Sequence, residues 1–113
     1  MEQIFVKTGT VEKIHISFSY PACPTLTLDD IDFFVEFSAI GSSETIHFEK
    51  GDLIRKLDPT TGRFDYYAAI DTAVLKYGEI RMKITALIPD DDFEEGVRPE
   101  VQGCSTNIVI CQH

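Results

Sequence analysis

"GEIRMKITALIP", residues 78–89, decides the fold class. Ile80, Met82, Ile84, Ala86 and Ile88 recur at every second position, with Arg81, Lys83 and Thr85 between them. A period of two over this length predicts a half-buried β-strand, with one face on a core and the other in water. The same alternation runs through most of the chain. Ile14, Ile16, Phe18 and Tyr20 form one apolar set, and Ile31, Phe33, Val35 and Phe37 a second. Ile46 with Phe48, and Phe64, Tyr66, Ala68 and Ile70, continue it. Such half-apolar strands belong to antiparallel sheets, since parallel strands are apolar on both faces.

Turn residues separate these runs: "YPACP", "AIGSS", "DPTTG" and "KYGE" carry the prolines and glycines. Lys50-Gly51 is read as a tight hairpin or bulge between short strands 46–49 and 52–57. Only residues 72–78, "TAVLKYG", suit a helix, and for a single turn. Seven to eight strands about ten residues apart predict an all-β, antiparallel β-sandwich of immunoglobulin-like type. Strands 31–39 and 79–88 are expected at its centre, and 46–49 and 52–57 at charged edges. The chain of 113 residues is read as one domain, 1–113, with residues 1–10 an arm or edge strand. In that segment "QIFV" is apolar enough to join a neighbour's sheet edge.

Nineteen acids against ten Lys and Arg give a net charge of −9. That sign repels phosphate backbones and anionic lipid, so neither nucleic acid nor membrane is expected as a partner. "MEQIFVKTGT" lacks a basic segment followed by an apolar run. No secretory signal is therefore expected, Met1 is read as the natural start, and synthesis is placed in a bacterial cytoplasm. Cys23, Cys104 and Cys111 make no framework of pairs, and reduced thiols are favoured over a Cys104–Cys111 or Cys23–Cys104 bridge.

Two acidic groups invite a chemical reading. Residues 90–100 hold Asp90, Asp91, Asp92, Glu94, Glu95 and Glu100 against Arg98. A calcium loop needs alternating oxygen donors around a glycine turn, whereas these three aspartates are consecutive. The favoured reading is a wet strand connection, with Pro89 ending one strand and Phe93 tucked under the sheet. Asp29, Asp30, Asp32 and Glu36 are likewise read as a solvated face, since a glycosidase pair needs one buried carboxyl in a sugar cleft. His15, His47 and His113 have no spacing that assembles zinc ligands. Ser42 and Ser43 sit in no nucleophile elbow, and no glycine-rich phosphate loop is present. No catalytic residue, metal site or cofactor is assigned, and an enzyme is not expected. Asp71 is read as a structural cap on the turn that it begins with Thr72.

"LDDIDFFVEF", the Lys-Gly-Asp turn, "YYAAIDTAVLKYGEIRMKITALIPDDDFEEGVRPEV" and "STNIVI" together resemble small β-sandwich virion proteins. These are baseplate, tail-fibre or head-fibre adaptor-like modules of phages and prophages of Bacteroides-type bacteria. The resemblance spans residues 28–110, and none of its motifs is catalytic. The chain departs from that pattern at Glu94-Glu95-Gly96 and in its "PACP" loop. The resemblance implies a virion component acting through contacts with other virion proteins or with itself. Ile4, Phe5, Val6, Phe34 and Tyr67 are the candidate contact residues, and Asp71, Thr72, Pro89 and Phe93 the structural turn residues. The alternative is a carbohydrate- or ligand-binding sandwich using Tyr20, Tyr66, Tyr67 and Tyr77 as a platform.

Overall fold

A computed structural model describes residues 2–111. Eight strands and one helical turn follow in the order β1 (Ile4–Lys7), β2 (Val11–Ile16), β3 (Asp32–Ser38), β4 (Ile46–Glu49), β5 (Ile54–Asp58), β6 (Arg63–Asp71), α1 (Thr72–Leu75), β7 (Gly78–Pro89) and β8 (Val97–Cys111). They form two sheets. A curled five-stranded sheet runs β1-β8-β7-β3-β4, and a three-stranded antiparallel sheet runs β2-β6-β5.

The alternating residues build the core as their phase dictates. Phe33, Val35 and Phe37 of β3 meet Ile80, Met82, Ile84 and Ala86 of β7 on the inner face of the larger sheet. Ile14, Ile16, Tyr66, Ala68 and Ile70 face them from the smaller sheet. Phe33 meets Tyr66 edge-on with ring centroids 5.4 Å apart, and Phe37 meets Phe48 in the same way. The long strands β3 and β7 lie inside the sheet, while the short β4 and β5 are edges. Thr85, on the outer face, is nonetheless buried, because Phe34 and Val101 flank it from the strands on either side.

Three expectations are corrected. The larger sheet is mixed rather than antiparallel: β1 pairs parallel to β8, Ile4 opposite Ile108 through Lys7 opposite Cys111. Residues 50–52 are no hairpin. They form a 3-10 turn that carries the chain from β4 in one sheet to β5 in the other. Asp52 accepts the Glu49 N–H there, and Lys50 Nζ donates to Ile31 O at 2.7 Å. Phe93 is 44% exposed, so it does not tuck under the sheet.

β8 runs long because a bulge resets its phase. Between Glu79 and Arg81 the register against β7 slips, with Asn107 at φ 62°. Thr106 Oγ1 donates to Ile80 O at 2.8 Å, filling the gap in the ladder. Before the bulge the inward positions of β8 are polar, Arg98, Glu100 and Gln102 opposite Ile88, Ala86 and Ile84. The segment after β2 crosses there: Gln102 hydrogen-bonds Ser19 N and O, and Arg98 donates to Tyr20 Oη at 2.6 Å. Phe18 and Tyr20 thus keep the inward phase of β2 beyond its end, half-buried against the core.

Candidate functional site

The turn at Asp71 closes one end of the sandwich. Asp71 Oδ1 accepts the Ala73 N–H at 3.0 Å, and Leu75 is fully buried as the plug. Ala73 is exposed and takes no part in the plug. Thr72 is fully buried and serves the crossing from β1 to β2. Its hydroxyl donates to Thr10 O at 2.8 Å and accepts from Gly9 N at 3.0 Å, while its own N–H donates to Thr10 O. Gly41 packs so tightly on Tyr77, which follows α1, that a Cβ there would stand 2.6 Å from Tyr77 backbone.

At the other end, Pro89 is the last residue of β7 and the acidic loop folds on itself. Asp90 N donates to Gly96 O, Gly96 N to Phe93 O, and Asp90 Oδ1 accepts Asp92 N. Gly96 has φ 74°, which explains a glycine where the loop re-enters β8. Arg98 lies 3.4 Å from Asp90 Oδ2 and donates to Glu100 Oε2 at 2.6 Å. Its hydrogen bond with Glu100 and the neighbouring Tyr20 raise its pKa, fixing the charge. Arg98 therefore pairs with two of the acids, Asp90 and Glu100. Among the described residues no three His, Cys, Asp or Glu side chains are grouped to hold a metal ion.

An open cleft of about 570 Å³ lies where β2 ends and β6 begins, lined by His15, Phe18, Leu26, Asp29, Phe64 and Asp65. Its wall is built on a 3-10 turn, Leu28–Asp30. Arg55 of β5 donates from Nε and Nη2 to the two Asp29 oxygens at 2.8 and 2.9 Å. Tyr66 Oη donates to Asp29 Oδ1 at 2.6 Å, and Arg55 Cζ stands 3.4 Å over the Phe64 ring. These donors, Arg55 foremost, hold the Asp29 carboxyl well below the usual carboxylate range. Asp29 in turn raises Arg55, and burial followed by the Asp29 hydrogen bond raises Tyr66. Asp30 accepts from Thr27 N and Oγ1, and His15 Nε2 lies 3.4 Å from Asp65 Oδ1. Asp29 with Arg55 and His15 with Asp65 are thus paired within the cleft, and the Asp29 cluster ties the turn to β5 and β6.

Asp29 is exposed, as the sequence suggests, but it is also tied to Arg55 and Tyr66. The spacing Thr27-x-x-Asp30 signals the turn, but nothing in the sequence pairs Asp29 with Arg55 across 26 residues. His47 pairs with Glu49 on its own strand, its ring 5.2 Å from that of Phe34. His113 lies outside the described residues. Cys23 and Cys104 are exposed and Cys111 half-buried, all three as free thiols.

The five candidate contact residues occupy three separate places. Phe34 is half-buried on the outer face of the larger sheet. Tyr67 is half-buried on the outer face of the smaller one, 5.2 Å from the His15 ring, with Lys13 Nζ 5.0 Å above it. These faces look in opposite directions. Lys56 beside Lys13 lowers the Lys13 pKa, so this face carries two crowded ammonium groups. Ile4 and Phe5 stand 58% and 64% exposed at the β1 edge, whereas Val6 packs inward against the core. The four tyrosines form no single platform: Tyr66 is buried in the core, Tyr20 is bonded to Arg98, and Tyr67 and Tyr77 lie apart. No protein-family model, curated protein or solved structure matches the chain.

Proposed function

We propose that the chain is a non-enzymatic interaction module, a virion component of the baseplate, tail-fibre or head-fibre adaptor kind. The observation that carries this reading is the β1 edge, where Ile4 and Phe5 stand exposed on a strand paired along only one side. Apolar side chains on an open strand edge suit a protein contact. The cleft is compatible with this reading, since Asp29, Arg55 and Tyr66 are bonded to one another and tie the fold together there. The virion assignment draws on the resemblance of residues 28–110 to such modules. The finer fold assignment is immunoglobulin-like. Strand order supports it, with β2-β6-β5 in the places of strands B, E and D and β8-β7-β3-β4 in those of G, F, C and C′.

The test is mass spectrometry of phage particles purified by density banding from Bacteroides-type hosts that carry the gene. The chain should band with the particles in a fixed ratio to their other proteins. Recovery solely in the particle-free fraction would overturn the virion assignment.

A further inference from the structure

We infer that β1 is the pairing edge of a symmetric dimer, in which two copies join their five-stranded sheets antiparallel about a two-fold axis at Phe5. The inference rests on the interaction-module reading and names its partner as a second copy of this chain. Four strands are sheet edges: β1, β2, β4 and β5. β2 carries Glu12, Lys13 and His15, β4 carries His47 and Glu49, and β5 carries Arg55, Lys56 and Asp58. Charges on an edge hinder pairing with another strand. β1 alone among these described edges opens with three uncharged residues, Ile4, Phe5 and Val6, before Lys7. In a chain of net charge −9 it is also an edge strand without an acid. Two copies therefore meet there with the least local repulsion.

Backbone geometry fixes the register. Thr8 N donates to Cys111 O, so the even-numbered residues of β1 turn their N–H and C=O toward β8. Gln3, Phe5 and Lys7 then direct theirs to the free side. Lys7 O is already taken by Thr10 N and Oγ1, which ends the ladder at that residue. A two-fold axis perpendicular to the sheet keeps each face continuous, so it pairs only residues of like parity. Centring on Phe5 sets Phe5 opposite Phe5, Gln3 opposite Lys7 and Ile4 opposite Val6. Phe5 N–H then meets Phe5 C=O and Lys7 N–H meets Gln3 C=O, each twice by symmetry. On the inner face the exposed Ile4 of each copy gains Val6 of the other, and the two cores become continuous. No charge stands opposite a like charge.

Sedimentation velocity of the full chain from roughly 10 µM to 1 mM covers the range expected of so small an interface. The mass should rise from 12.7 kDa toward twice that value. Phe5→Lys sets two ammonium groups opposite each other and should weaken the dimer at least about tenfold, with an unchanged thermal midpoint in dilute solution where both chains are monomers. The register is read in chains with Cys23, Cys104 and Cys111 changed to serine. Ile4→Cys mixed with Val6→Cys should give the mixed disulfide on oxidation, since residues so opposed lie about 4.5 Å apart at Cα. A monomer throughout the range overturns the dimer but leaves the virion reading to the particle experiment. A dimer indifferent to Phe5→Lys, or an Ile4→Cys chain that links to itself instead, overturns the pairing described.

Discussion

Thr72 and Asp29 show how single side chains decide which parts of this fold stay together. Thr72 is fully buried, and its hydroxyl bonds both Gly9 and Thr10. Thr72→Val keeps the shape but leaves the Gly9 N–H without that partner. It should cost about 1–3 kcal/mol in urea unfolding with little change in m-value. Asp29 acts through charge. Its folded pKa lies below the unfolded value of about 3.9, so the folded state binds fewer protons. The stability it contributes is present above about pH 4 and is lost as pH falls from there toward the folded pKa. Acid titration of the thermal midpoint should fall more steeply below about pH 4 in the wild type than in Asp29→Asn. Equal slopes would show that the Arg55 contact contributes nothing. Asp71 as a cap was legible, because the sequence places it at the head of a short apolar turn. Asp29 was not, because its partners come from β5 and β6 and only the packing of the two sheets brings them near.

Strands and turns were legible wherever one face is apolar and the other polar. The inward sets of β3, β6 and β7 follow the period of two, and α1 is the single turn expected at residue 72. What periodicity cannot give is the neighbour. β1 has only four residues, and nothing in "IFVK" specifies parallel pairing with a strand about a hundred residues later. The Lys50-Gly51 turn resembles a hairpin locally, yet it links two sheets, with Lys50 Nζ bonded to Ile31 O. β8 reverses the usual phase before its bulge, where the segment after β2 crosses its inner face. Phe37 and Phe93 separate the core from this periphery. Phe37→Ala, in a fully buried site of β3, should cost about 3–5 kcal/mol. Phe93→Ala, on the exposed acidic loop, should stay within about 0.5 kcal/mol. Chemical denaturation of both variants checks the contrast, and a large loss at Phe93 would restore the inward packing the sequence suggests.

For the whole molecule, composition and strand count give the two-sheet β architecture, and the −9 charge gives its sign toward phosphate. The apolar contact residues do not gather on one face. The outer faces place Phe34 and Tyr67 on opposite sides, and among the described edges, of which β2 and β5 also expose apolar side chains, β1 is the one that opens with three successive uncharged residues. The central claim is that β1 docks on β8 of its own chain and offers its other side to a second copy. Residue-resolved amide hydrogen exchange at two protein concentrations tests it most directly. Ile4 and Val6, which face β8, should be protected at both concentrations. Phe5 and Lys7 should exchange freely when dilute and become protected when concentrated. Unprotected Ile4 and Val6 would contradict the parallel pairing, and Phe5 and Lys7 that stay unprotected when concentrated would contradict the shared edge.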